Sequence, residues 1–340
     1  MTPALPFRHS GAMVAMVGCA LASALFFVSP SFLPALPAVA FSFFDALPLL
    51  VCGLVYGWIY GLGAGLLGAL AVAVAQSVGL ALPDVPTAHG SVLFFVENTV
   101  PAAFFVHLAY TIPQYLRGGA SPMNLPAPIV MQGSVTGSLT LYAMVLAVIM
   151  TALLDAEATR AVLEETLRAV SKADPQTLKI LEQAWGPDIV GQLAAAMPGL
   201  SALGWLVGFC VNAVVAVRFW SKITRTSPPL MKMGWFRLPR WLVGVVFGLG
   251  LVLMLHTRDV VVFPQDIFAL LNNVLLVALA GFFFNGVGVF HQMAEKRRFL
   301  IPLFYAAFLF IPLLIYVVAM VGLMDPIVSM RRDVYPTEKG

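Results

Sequence analysis

Residues 95–107 read FVENTVPAAFFVH and set a carboxylate, an amide and an imidazole inside an otherwise apolar run. An ionisable group at membrane depth is costly, so Glu97, Asn98 and His107 are functional candidates by default. Spacing divides them. On a helix rising 1.5 Å per residue, Glu97 and His107 stand about 15 Å apart, roughly half the hydrocarbon thickness of a bilayer. They cannot form a carboxylate–imidazole dyad on their own helix, and they belong to two layers. Pro101, four residues beyond Glu97, supplies no backbone N–H and is expected to leave the Glu97 carbonyl without its helical donor. A kinked helix with a carbonyl beside a carboxylate suits a solute or cation site. The competing reading is a protonated Glu97 bonded by Asn98 and Gln76 between packed helices.

The elements that must position these groups follow from composition. Of 340 residues, 60% are hydrophobic and 10% charged, with a mean hydropathy of +0.93. Soluble domains carry about 25% charged residues, so the chain is expected to be all-α, a polytopic helical bundle forming one membrane domain over 1–340. A net charge of +3, concentrated in loops, speaks for topology and against nucleic acid. Cys19, Cys52 and Cys210 fall in separate apolar segments without a CxxC pair, and read as small buried hydrophobes. Arg8 and His9 precede an apolar run from Gly11 to Val28, and Ala38-Val39-Ala40 resembles a cleavage site. The run is too long for a signal peptide and reads as a retained first helix.

Apolar runs long enough to span, or nearly so, are 11–29, 46–60, 61–82, 91–116, 127–153, 199–218, 241–256, 267–291 and 300–323, which gives eight or nine helices. Residues 30–45, interrupted by Pro30, Pro34 and Pro37, read as a broken or re-entrant element, and 46–82 as a hairpin of two short helices. The loop 218–240 carries Arg218, Lys222, Arg225, Lys232, Arg237 and Arg240 with no acid. Together with Lys296, Arg297, Arg298 and Arg117 it sets the cytoplasmic side and the N-terminus inside. Segment 155–197 then lies outside as a small extramembrane helical insertion. Arg160, Glu164 and Arg168 provide i,i+4 pairs, Val162, Leu163, Leu167 and Val170 form a stripe, and a second helix starts at Asp174-Pro175. Residues 324–340 form a polar tail. Gly61, Gly65 and Gly68, and Ala20 with Ala24, have the spacing that lets helices approach closely.

Depth arithmetic gives each layer its neighbours. Glu97 and Asn98 in the outer half share their level with Gln76, Ser77, Asn272 and Asn273. His107 in the inner half shares its level with Gln132, Asn212 and Asn285, a set that reads as packing glue. The histidines form no HExxH, no P-loop is present, and GLGAG at 61–65 lacks the strand–helix context of a dinucleotide site. No catalytic residue, metal site or cofactor is expected.

The glycine-rich early hairpin and the closing GLMDPIVSMRRD, with Gly322, Asp325, Arg331 and Arg332, resemble the YybS-like family of uncharacterised bacterial membrane proteins. That family is distantly similar to the substrate-binding subunits of energy-coupling-factor vitamin transporters. The resemblance implies a solute held near the outer face, with Ala20 and Ala24 available to dock an energising partner. The chain is therefore expected to bind or transport a small solute in an outward-facing pocket lined by Glu97, Asn98, Gln76 and Asn272 or Asn273, in a bacterial inner membrane. The alternative is a membrane scaffold or assembly factor that engages a partner protein through 155–197 and the basic loops.

Overall fold

The computed structural model describes residues 9–80, 87–117, 127–154, 156–173, 188–224, 237–294, 297, 299–311 and 313–328. Among the described residues no strand occurs, and eight helices are long and apolar enough to cross a membrane. The fold is an all-α polytopic bundle. Residues 1–135 and 207–231 group into one compact unit, and residues 136–206 and 232–340 into a second.

The first unit begins with α1 (His9–Val28), a 3-10 turn at Ser29–Ser31, α2 (Ala35–Ser42) and α3 (Leu47–Tyr56). The proline-broken stretch and the run after it are one interrupted span, Pro37–Tyr56. Pro48 has no N–H to continue the helix, and the Leu47 amide bonds the Phe44 carbonyl at 3.1 Å instead of reaching Phe43. Residues 43–46 are therefore a turn inside the span. Gly57, at φ +111°, is the one-residue link from α3 to α4 (Trp58–Ser77), a conformation open to glycine. The hairpin closes tightly because a Cβ on Gly61 would stand 3.0 Å from the Gly53 Cα. α4 thus runs over 58–77 and not over 61–82.

α5 (Thr87–Phe94) and α6 (Val100–Arg117) are one helix interrupted by a π turn over Phe95–Thr99, in which the Val100 amide bonds the Phe95 carbonyl. A π turn absorbs the donor that Pro101 lacks by shifting the hydrogen-bond register. Gly65 lies against the Thr99 side chain, and Gly68 against Phe94 and the Ala20 carbonyl. Ala20 and Ala24 are themselves buried, at 1% and 6% exposure, so the small residues of α1 and α4 serve packing within this unit.

The remaining helices are α7 (Ala127–Leu153), α8 (Ala156–Ala173), α9 (Ile189–Thr224), α10 (Arg240–Thr257), α11 (Gln265–Met293), α12 (Leu300–Phe310) and α13 (Leu314–Val328). In the second unit α9 starts ten residues before the expected 199 and carries Pro198 inside it. The insertion is correspondingly shorter than 155–197. Its first helix is α8, with Arg160 paired to Glu164 at 3.2 Å and to Asp188 at 3.6 Å. The helix expected from Asp174-Pro175 lies outside the described residues.

The closing run 300–323 is two helices. Ile311, which precedes Pro312, leaves the helical region at φ −130°, ψ 80°. α13 then continues to Val328, so the tail expected from 324 begins as helix, with Asp325 buried. α11 and α13 cross through Gly286 and Gly322, and Val287, Phe304 and Val318 form an apolar cluster beside them.

Candidate functional site

The polar group with the most chemical capacity lies in the first unit, and it includes a residue that the hydropathy pattern does not single out. Asp45 sits in the turn that interrupts Pro37–Tyr56. Its Oδ2 accepts from Asn98 Nδ2 at 3.2 Å, and its carboxylate also accepts from the Ala46 amide. Ser23 Oγ on α1 donates to the Asp45 carbonyl at 2.5 Å. Glu97 is close enough for the Asp45 charge to act on it. Three spans thus meet at the Asp45 carboxylate and carbonyl, through the Asn98 amide and the Ser23 hydroxyl, with Glu97 one residue before Asn98.

The depths agree. Asp45 stands eight residues beyond Pro37, Glu97 eight beyond His89, and Ser23 eight before Ser31, each counted from the matching end of its span. At 1.5 Å per residue each is about 12 Å in, well inside the hydrocarbon region. The π turn sets the aim of Glu97 and Asn98, because one added residue in the turn rotates α6 relative to α5. Two residues on from Glu97, Thr99 is 1% exposed, and its Oγ1 has no hydrogen-bond partner among the described residues.

Gln76 does not share this level. Because α4 ends at Ser77, Gln76 is its penultimate residue, and its amide lies against Gly90, two turns before Glu97. His107 is exposed, with its ring edge-on to Trp58 at 5.7 Å. Asn212, grouped by depth with His107, Gln132 and Asn285, lies instead on the turn that carries Asp45: its Nδ2 donates to the Phe43 carbonyl at 2.8 Å. That carbonyl is the one the Leu47 amide bypasses. Gln132 is on α7, where its side chain lies outside the described residues.

In the second unit Asn272 is exposed and Asn273 fully buried. Asn273 is inserted against the turn of α9 that carries Pro198. Its Oδ1 accepts from the Gly199 amide at 3.2 Å, and its Nδ2 donates to the Ala195 carbonyl at 2.9 Å. Those two groups would bond each other in an unbroken helix. Asn285 does the same at Pro326, which removes the donor for the Gly322 carbonyl: Asn285 Nδ2 supplies it at 2.7 Å and reaches Asp325 Oδ2 at 3.4 Å.

The buried asparagines thus fall into two kinds. Asn212, Asn273 and Asn285 each donate to a main-chain carbonyl where a proline disturbs the helix, Asn285 reaching the Asp325 carboxylate as well, whereas the bond that Asn98 makes is to the Asp45 carboxylate. Asp45 is the sole acid before Asp84 in the chain. Taking 30–60 as one interrupted span would have placed it at the depth of Glu97.

Residues 20–326 match the model of a family described as "Predicted membrane protein (DUF2232)". The chain belongs to that family. It is a multi-pass membrane protein whose eight candidate spans all begin or end within the matched region. No curated protein and no solved structure matches it. Among the described residues no cluster of three or more His, Cys, Asp or Glu side chains suited to a metal ion occurs.

Proposed function

We propose that this DUF2232 chain binds or transports a small solute, and that Asp45, Glu97 and Asn98 form the charged element of its site, holding a proton or a monovalent cation between the two carboxylates. The observation that carries this reading is the pairing of two acids from separate spans at one depth. Two negative charges near enough to act on each other in an apolar interior are unfavourable unless a positive charge is shared between them. Asn98 and the Ala46 amide hold the Asp45 carboxylate in place, so that it stands fixed within reach of Glu97 for such a charge to be shared. Gln76, against Gly90 near the end of its helix, then stands on the approach and not in the site. The resemblance of the closing helix to the YybS-like proteins, and through them to the solute-binding subunits of energy-coupling-factor transporters, points the same way.

Chain order supports the orientation. The basic segments at Arg117, 225–240 and 296–298 come after the fourth, sixth and eighth candidate spans. Alternate crossing puts all three on one side, which is the cytoplasmic side by their charge. The N-terminus is then cytoplasmic and the Asp45–Glu97 pair lies in the outer half of a bacterial-type inner membrane.

The test uses the purified full chain in detergent. Its thermal midpoint is measured in potassium, sodium, lithium and choline chloride at equal ionic strength, from mildly acid to mildly alkaline pH. The wild type is expected to gain stability from one small cation or from acid. Asp45→Asn and Glu97→Gln, which each remove one charge and keep the shape, are expected to flatten that response. A wild type indifferent to cation and pH, or a response that survives in both variants, overturns the reading.

A further inference from the structure

His256, in the last turn of α10, is half-buried, and its ring is the centre of the strap 258–264 that leads into α11. One ring nitrogen faces both a donor and an acceptor. The Phe263 amide donates to Nδ1 at 3.2 Å, and the Val261 carbonyl oxygen stands 3.2 Å from the same atom. A ring nitrogen either carries a proton or offers a lone pair, so only one of these two bonds exists at a time. The near half of the strap is held without the imidazole. The Asp259 amide bonds the His256 carbonyl and the Val260 amide the Leu255 carbonyl, each at 3.0 Å, with Asp259 in the left-handed region at φ +55°. That is the pattern of a Schellman helix end. Val260, Val261 and Val262 are exposed, while Phe263 is half-buried against the ring.

We infer that His256 is a proton-operated latch on the far half of this strap. With Nδ1 bare, the imidazole holds the Phe263 amide. With protons on both nitrogens it releases that amide and donates to the Val261 carbonyl instead. The proton comes from solvent and stays on the ring. Two features let the charged ring remain in place. Its centroid lies 4.6 Å from that of Phe268 and 5.8 Å from that of Phe263, within the ~6 Å at which an aromatic face attracts a cation. The C-terminal end of a helix also favours positive charge. The charged residues of the hairpin are Arg258 and Asp259 in the strap and Asp266 in the first turn of α11, all exposed. Arg258 opposes the protonated form, and the two acids favour it. The acid of α13, which also packs on α10, is Asp325; its neighbour Pro326 meets Arg240 at the other end of α10, about 24 Å from His256. Because the Schellman bonds do not involve the ring, the exchange of partners moves residues 261–263 and leaves the end of α10 intact. On the orientation proposed above the strap faces the outside, so the latch responds to outer pH. The inference is independent of the solute reading, since it concerns other residues and a different readout.

The full chain in detergent is measured at about pH 8 and about pH 5, the interval in which an imidazole takes up its proton. Long-range proton–nitrogen spectra of protein isotope-labelled in its histidines report which ring nitrogens carry protons, and His256→Asn identifies the His256 signals by their loss. Hydrogen exchange of the Phe263 amide, corrected for the intrinsic effect of pH and read by fragment mass spectrometry, reports the bond itself. The wild type is expected to show a bare Nδ1 at the higher pH and protons on both nitrogens at the lower. Protection of the Phe263 amide is expected to fall about fivefold between them, the change that the net worth of one hydrogen bond gives. In His256→Asn, whose side-chain oxygen can take the place of Nδ1 and does not titrate, protection is expected to be the same at both. A wild-type Phe263 amide equally protected at both pH values, a fall that persists in His256→Asn, or an Nδ1 that already carries its proton at the higher pH overturns the inference. The wild-type exchange needs no variant to fold.

Discussion

Gly322→Ala is expected to destabilise the second unit by about 3 kcal/mol or more, and Gly286→Ala by a similar amount. A Cβ on Gly322 would overlap the Phe282 carbonyl oxygen and stand 2.6 Å from the Gly286 nitrogen, and one on Gly286 would overlap the Val318 carbonyl oxygen. These obstacles are main chain, so no rotamer change relieves them and the helices must separate. Separation then pulls Asn285 away from the Gly322 carbonyl and from Asp325, because a side chain that short bridges only helices in backbone contact. The expected result is loss of the monodisperse peak, or a fall of ten degrees or so in its thermal midpoint, in detergent. Gly248→Ala on α10 is the control, since a Cβ there meets nothing within 4 Å. It is expected to be neutral or to stabilise by up to ~1 kcal/mol through helix propensity. Equal effects at Gly322 and Gly248 would show that α11 and α13 do not cross this closely.

Those glycines show what a sequence conveys about a membrane bundle. Hydropathy made the class and most spans legible, because lipid demands about 20 apolar residues whatever the neighbours are. It misplaced helix ends where proline lies inside a helix: α9 continues through Pro198, and α2 and α3 share one span across the turn before Pro48. Proline disrupts a helix only if nothing supplies the missing contacts, and here the suppliers, Asn273 and Asn212, come from distant parts of the chain. Glu97 and Asn98 were legible as polar intrusions into an apolar run. Asp45 was not, because it stood at what read as a boundary, and its meeting with Asn98 depends on the π turn and on the span's interruption.

Asn273→Ala is the second large expected effect, and its dependence on Pro198 decides what the amide does. Removing the amide strands the Gly199 N–H and the Ala195 carbonyl, with Asn273 itself fully buried. A buried unsatisfied group costs about 1–3 kcal/mol. Interhelical side-chain bonds in membranes average only about 0.6 kcal/mol, because the reference state finds other partners. Two main-chain groups lost together, with a proline that keeps the ladder from reclosing, place the expected cost near ~2 kcal/mol. In a Pro198→Ala background the helix can close its own Ala195–Gly199 bond. The same Asn273→Ala change should then fall toward ~0.6 kcal/mol, the residue being its weaker 3.4 Å contact with Thr151 and lost packing. The cycle of wild type, both single variants and the double variant, read by thermal or denaturant unfolding in detergent, isolates this coupling. A coupling on the order of 1 kcal/mol identifies Asn273 as the group that bridges the turn of α9 at Pro198. A coupling near zero makes it an ordinary tie between α9 and α11, and would leave Pro198 within α9 without a side chain that compensates for it.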